Sequence, residues 1–170
     1  MERHRIWAVL GAVLVVSCSL AMAADRGPST PEERATFVST TKALESDPMA
    51  PGARDKRQAM LAWLVAVPDI EAKTCADLLS RGRDDKYPYA GEVTFQEMFA
   101  AGVFAIEHPE KRGDDIAMYT AAVESALRAY ESLLRTRPDA KLAFFDELVA
   151  MRDRGELAAH VAKVAKKKCK

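Results

Sequence analysis

Few residues in this chain could perform acid–base or metal chemistry, and the histidines are the first to consider. The whole sequence holds three of them: His4, His108 and His160. His108 follows Glu107 and comes shortly before Asp114 and Asp115, so these residues could form a carboxylate-rich metal or catalytic site. However, His108 precedes a proline at a predicted helix end, where a polar surface residue is the ordinary expectation. We therefore expect no metal site here.

A second candidate is the pair of glutamates Glu92 and Glu97, which follow two tyrosines in the sequence. Two carboxylates hydrolyse glycans when one of them lies in an apolar pocket that raises its pKa. This alternative, a cell-envelope enzyme, requires a cleft that contains Glu92, Glu97 or Asp114. The simpler interpretation places Glu92 in the first turn of a helix, where negative charge is favourable, and Glu97 off the apolar stripe toward solvent.

The sequence contains none of the common catalytic or cofactor motifs. A CxxCH haem site, paired CxxC zinc ligands, an HExxH helix, a P-loop and a GxSxG elbow are all missing. We expect no catalytic residues and no cofactor, and we favour a binding function over an enzymatic one.

A charged loop between Arg81 and Tyr89 is a candidate binding surface. Tyr87 and Tyr89 flank a proline in this loop, and Glu92 follows them. Aromatic side chains on loops are common at binding sites. The alternative is that both tyrosines fold back and cover the helices.

The N-terminus has the three parts of a secretory signal. Arg3 and Arg5 precede an apolar run from Ile6 to Val16, and the small residues Ala21 and Ala23 suit a signal peptidase. We therefore assign residues 1–23 to a signal peptide and 24–29 to a flexible N-terminus. The mature protein is expected to be periplasmic or secreted.

The same segment allows a second interpretation, because Val15-Val16-Ser17-Cys18 fits a loose lipobox. Lipidation of Cys18 would make the protein a membrane-anchored structural lipoprotein. The residues from Leu20 to Ala24 are still apolar, however, whereas lipoprotein tethers are usually polar. We favour ordinary cleavage after Ala23.

Two cysteines, Cys75 and Cys169, remain after the signal peptide. An even count in an exported chain predicts a disulfide, which would tie the C-terminal tail to the first half of the domain. A loop of this length predicts a stabilisation of about 4–5 kcal/mol in the chain-entropy model.

Charge is balanced overall, with 25 basic and 25 acidic side chains, but the C-terminal tail is basic. A nucleic-acid-binding protein would carry its basic face on the main domain, so we expect no nucleic-acid partner. The tail could contact anionic lipid head groups, or it could simply be a solvated helix end. Its lysines are Lys163, Lys166, Lys167, Lys168 and Lys170.

Hydrophobic periodicity predicts helices throughout residues 30–170. Thr30 and Glu33 form a capping-box signature, with Pro31 at the first helical position. A second helix over about 53–66 has little polar face at its C-terminal end, so that end is expected to be buried on most sides. From Glu71 onward the chain is also expected to be helical, the alternative being a short extended piece followed by a helical turn.

The second half of the chain continues this pattern. Phe95 to Ile106 forms one unbroken apolar stripe, in which Gly102 indicates the close approach of a neighbouring helix. The longest helix is expected over about 114–135, and two more follow. No period-two alternation occurs, so we predict an all-α domain of six or seven helices, arranged as a bundle or a short stack of helical hairpins.

Two helix ends, "ALESDPMAPGA" and "AYESLLRTRPDA", resemble the inter-helix joint of tetratricopeptide repeats. The resemblance implies helical hairpins with short connections. It is local, because Pro48, Pro109 and Pro138 are not spaced at a constant 34 residues. The favoured hypothesis is an exported helical module that contacts a protein or envelope partner.

Overall fold

The computed structural model describes residues 26–83 and 86–169, except for the side chain of Arg83. The predicted signal peptide, Cys18 and Lys170 lie outside these residues. All regular structure in the described part is helical, which confirms the predicted all-α class. Six α-helices follow in order: α1 Pro31–Ser46, α2 Ala53–Ala66, α3 Ala90–Glu107, α4 Asp115–Thr136, α5 Ala143–Asp153 and α6 Leu157–Lys168.

Local capping signals set the starts of two helices. The Thr30 hydroxyl accepts from the backbone N–H of Glu33 at 3.2 Å, and the Glu33 carboxylate accepts from the N–H of Thr30 at 2.9 Å, so the predicted capping box is present. Asp114 caps α4 by accepting from the N–H of Ala117 at 3.0 Å. Both caps satisfy backbone donors that the first helical turn leaves unpaired.

The hairpin of α3 and α4 forms the centre of the domain, with α1 packed across both helices. On one side α2 packs against α3, and on the other side α5 and α6 pack against α4. Three hydrophobic clusters result. One is built on α4, α5 and α6 and includes Leu127, Tyr130, Phe145 and Val161. A second lies among α1, α2 and α3 and includes Phe37, Leu44, Met60, Leu64 and Phe99. A third, smaller one joins α3 to α4 and includes Ala101, Phe104, Met118 and Ala122.

Gly102 on α3 faces side chains of both α1 and α2. A Cβ at this position would lie 3.0 Å from Phe37 and 3.3 Å from Leu64. The close helix approach predicted for this glycine is therefore confirmed. It brings the aromatic ring of α1 directly onto α3.

A chain of hydrogen bonds links α1, α3 and α4 inside the bundle. The amide nitrogen of Gln96 donates to the backbone carbonyl of Thr41 at 3.2 Å and to the hydroxyl of Ser125 at 2.9 Å. Ser125 in turn donates to Glu45, which also forms an ion pair with Arg128. Gln96, Thr41 and Ser125 are each at most 3% exposed, so this network holds polar groups that burial would otherwise penalise.

The expected helix from Glu71 onward is wrong, since residues 67–75 have no regular helix and a turn and a short 3-10 helix, Ser80–Arg83, follow, which agrees with the alternative. Tertiary contacts hold this segment in a non-helical conformation. Asp69 is hydrogen-bonded to Ser29, the backbone N–H of Lys73 faces the sulfur of Met118, and Cys75 is disulfide-bonded. These contacts outweigh a helix propensity that is only a weak local preference.

The expected burial of the C-terminal end of α2 is also wrong. Met60, Leu64 and Val67 face the core, but Ala62 and Val65 are exposed. Val65 is 78% exposed. The reason is that α2 lies at the edge of the bundle, where the rest of the described chain covers only one of its faces.

Candidate functional site

The tyrosines of the predicted binding loop fold back onto the domain. Tyr87 is 7% exposed and Tyr89 is 8% exposed. The Tyr87 hydroxyl donates to the carbonyl of Ala140 at 2.9 Å, and that of Tyr89 donates to Asp139 at 2.8 Å. Burial raises the pKa of Tyr87. The rings therefore serve the core, as in the alternative interpretation, and offer no exposed aromatic surface.

The two glutamates of the enzyme hypothesis face different surroundings. Glu92, in the first turn of α3, lies 3.6 Å from the guanidinium of Arg57. Burial lowers the pKa of Arg57, and the Glu92 charge opposes that change. Arg57 also donates to the backbone carbonyl of Pro48. Glu92 thus compensates a largely buried cation.

Glu97 is 1% exposed, so its expected orientation toward solvent is wrong. The physical reason is that α3 is enclosed by α1 and α2 on one side and α4 on the other, which leaves little of it in contact with water. Asp114 caps α4 and lies beyond the opposite end of α3 from Glu92. The 15 residues of helix between Glu92 and Glu107 measure roughly 22 Å, so Glu92 and Asp114 share no cleft.

His108 lies at the C-terminal end of α3, with a side chain that is 42% exposed. Its Nδ1 lies 3.2 Å from Glu110. Glu107 pairs instead with Lys42 at 2.9 Å, and Asp115 pairs with Lys73 at 2.9 Å. Within residues 26–83 and 86–169, no three histidine, cysteine or acidic side chains form a group that could hold a metal ion.

Cys75 and Cys169 form the expected disulfide, with their Cα atoms 5.5 Å apart. The bond fixes the C-terminal end of α6 against the segment before α3. Beside it, Lys168 pairs with Asp77 at 3.1 Å. The basic tail is therefore held against the domain up to Cys169, and it is not a free arm over this length.

A groove with apolar walls runs between α1 and α2 and has a volume of about 390 Å³. The two helices are antiparallel, because Ser29 before α1 is hydrogen-bonded to Asp69 after α2. The walls of the groove come from both helices: Thr36, Phe37, Thr40, Ala59, Met60 and Trp63. This groove is the candidate functional site.

Trp63 and Phe37 both line this groove and pack against each other, with ring centroids 4.7 Å apart. The guanidinium of Arg26 lies 5.8 Å from the centre of the Trp63 ring and also pairs with Glu33. The indole Nε1 of Trp63 is buried and has no hydrogen-bond partner among the described residues. An unpaired buried donor is uncommon in folded proteins, because burying it without a hydrogen-bond partner costs free energy.

An exposed stripe of small residues continues the groove along the outer face of α2. Ala59, Ala62 and Ala66 are exposed and follow one another at helical spacing, and Val65 lies three residues after Ala62. We call this surface, with the groove, the α1–α2 face. It combines an apolar groove with an apolar helix surface that the described chain leaves uncovered.

The sequence interpretation missed this face, although it contained a signal. The C-terminal half of α2, "MLAWLVA", is apolar on every side. Such a helix is either buried within its own domain or covered by a partner, and the exposure of Val65 excludes complete burial within the described domain.

Two further findings bear on function. Among the described residues, no helix is long and apolar enough to cross a membrane. No known protein family, curated protein or solved structure matches this chain at a significant level, so its function has to be inferred from its own residues.

Proposed function

We propose that this protein is an exported, non-catalytic helical module that binds a protein partner through the α1–α2 face. The observation that carries the proposal is the exposed apolar surface of α2, from Ala59 to Ala66, next to a groove of about 390 Å³. A single exposed apolar side chain is normal in a folded protein, whereas a contiguous apolar surface beside a groove is typical of a binding site.

The composition of the groove favours a protein segment over other ligands. Phe37, Met60 and Trp63 supply aromatic and thioether surfaces, which are enriched at protein interfaces. Only a few charged side chains stand at the groove ends, so neither a nucleic acid nor a highly charged metabolite fits. An apolar helix face laid into such a groove is a recurring mode of recognition.

Export is supported by two independent features of the chain. The first is the tripartite N-terminal segment, and the second is the Cys75–Cys169 disulfide, which is typical of proteins in oxidising compartments. The intact mass of the protein from its native host tests this point. A chain starting at Ala24 supports a periplasmic or secreted protein, whereas a chain starting at lipidated Cys18 supports a membrane-anchored one.

Site-specific photo-crosslinking in the native host tests the binding surface. A photoreactive phenylalanine analogue placed at Ala62 is expected to give a discrete protein adduct. The same analogue at Ala159, an exposed alanine on α6, is the matched control and should give none. Mass spectrometry then identifies the adduct, and Val65→Glu in the same chain should abolish it. If Ala62 and Ala159 behave alike, the proposed function is wrong.

A further inference from the structure

We infer that the partner of the α1–α2 face is a second copy of this chain, related to the first by a two-fold axis perpendicular to the groove. The inference rests on the proposed function, since it names the occupant of the same surface. It is carried by the way charge is distributed along the groove.

The two ends of the groove have opposite charge. Glu32, in the first turn of α1, lies at one end, and Lys56, in the first turn of α2, lies at the other. Along α2, Lys56 is the first residue that lines the groove and Trp63 is the last. They are seven residues apart, so about 10 Å of apolar groove separates the two ends. Neither Glu32 nor Lys56 forms an ion pair with any residue that the structure describes.

The neighbouring charges cancel and leave these two uncompensated. Glu33 lies beside Glu32 but is paired with Arg26. At the other end, Arg54 and Asp55 are consecutive exposed residues of opposite sign next to Lys56. The groove therefore carries one net negative charge at its α1 start and one net positive charge at its α2 start.

A surface with this polarity is complementary to itself. A two-fold axis perpendicular to the groove reverses its direction in the second copy, so Glu32 faces Lys56 of the second copy and Lys56 faces Glu32 of the second copy. The same axis brings the two α2 helices together in antiparallel orientation. Ala59, Ala62 and Ala66 are small enough to let their backbones approach closely, and the contact covers both grooves.

The size of the face limits the strength of the dimer. Two adjacent helices of 14 to 16 residues present a face of roughly 20 Å by 20 Å, about 400 Å² per copy, which is smaller than the interfaces of stable complexes and in the range of weak, transient ones. We therefore expect a reversible dimer with a Kd on the order of micromolar. Trp63 is the only tryptophan after residue 23, so its fluorescence reports directly on this surface.

The first test is sedimentation of the chain from Ala24, with its disulfide intact, at concentrations from about 1 µM to a few hundred micromolar. The wild-type protein should pass from monomer to dimer over this range, with a blue shift of Trp63 fluorescence. Ala62→Glu should remain monomeric, because it places two charges against each other at the axis. Ala159→Glu, the matched control on α6, should dimerise like the wild type.

A charge exchange tests the antiparallel arrangement itself. Glu32→Lys gives a groove with two positive ends, and Lys56→Glu gives a groove with two negative ends. Each variant alone should dimerise roughly tenfold or more weakly than the wild type, because two attractive contacts become repulsive. An equimolar mixture of the two variants should form a mixed dimer at least as readily as the wild type.

Several results would overturn the dimer. These are a wild-type protein that stays monomeric at the highest concentration, a dimer that Ala62→Glu does not weaken, or single variants that fail to recover when mixed. The crosslinking experiment separates this failure from failure of the proposed function. An Ala62 adduct of twice the subunit mass supports the dimer, an adduct with a different protein supports only the general binding role, and no adduct contradicts both.

Discussion

Glu45 on α1 and Arg128 on α4 form a two-pronged ion pair, with Arg128 Nε 2.8 Å from one carboxylate oxygen and a terminal guanidinium nitrogen 3.0 Å from the other. The same carboxylate accepts from the buried hydroxyl of Ser125. This pair therefore connects a surface contact to the interior network that also contains Gln96. It fixes α1, one wall of the candidate groove, against the central hairpin.

We predict that Ser125→Ala lowers the free energy of unfolding by about 1–3 kcal/mol, because buried Gln96 and partly buried Glu45 each lose a hydrogen-bond partner. Urea denaturation followed by circular dichroism measures this change. Ser39→Ala on the exposed side of α1 is the control and should change stability by less than about 0.5 kcal/mol. Equal effects at the two positions would show that the network contributes nothing.

The disulfide between Cys75 and Cys169 closes a loop with a sequence separation of 94. Replacing both cysteines by serine should lower the free energy of unfolding by about 4–5 kcal/mol in the chain-entropy model. Addition of a reductant should lower the thermal midpoint of the wild-type protein but leave the double variant unchanged. A reductant that has the same small effect on both proteins would contradict the prediction.

Asp69 makes stability depend on pH. Desolvation alone would raise the pKa of Asp69, but hydrogen bonds from Ser29 and Arg34 outweigh it and lower the pKa to about 2. The usual value in an unfolded chain is about 3.9, so the ionised form favours the fold. Its contribution is therefore fully present above about pH 4 and is lost as the pH falls toward about 2.

Comparison with Asp69→Asn tests this pH dependence. The variant should be less stable than the wild type by about 1 kcal/mol near neutral pH, a figure reduced because solvent screens the partly exposed ion pair. The difference should shrink as the pH approaches about 2. Asp153→Asn, at an exposed aspartate on α5, is the matched control for the substitution itself. A constant difference for Asp69→Asn at every pH would rule out titration of Asp69 as the cause.

Two glycines of α3 provide a matched pair. Gly102→Ala places a methyl group 3.0 Å from the buried Phe37 ring, so its steric penalty should exceed the gain in helix propensity and destabilise the protein by about 1–2 kcal/mol. A Cβ at Gly91 meets nothing within 4 Å. Gly91→Ala should therefore stabilise the protein by about 0.5–1 kcal/mol. Thermal unfolding of both variants checks the sign, and stabilisation by Gly102→Ala would contradict the close helix approach.

Most helix boundaries follow from local sequence, because they depend on residues close together in the chain. The capping pair of Thr30 and Glu33 lies within one turn, and Asp114 caps a helix that begins at the next residue. The disulfide was predicted for a different reason, namely that only two cysteines remain after the signal segment. Gly102 was identified by its small size within an apolar stripe.

The faces of the helices that are covered could not be predicted in the same way, because burial depends on neighbours that are distant in sequence. Glu97 lies off the stripe on α3 and was expected in water, but α3 is packed on more than one side and encloses it. Val65 is apolar and was expected in the core, but α2 lies at the edge of the bundle and leaves it exposed. Periodicity shows which residues share a helix face, whereas packing alone determines whether that face meets protein or solvent.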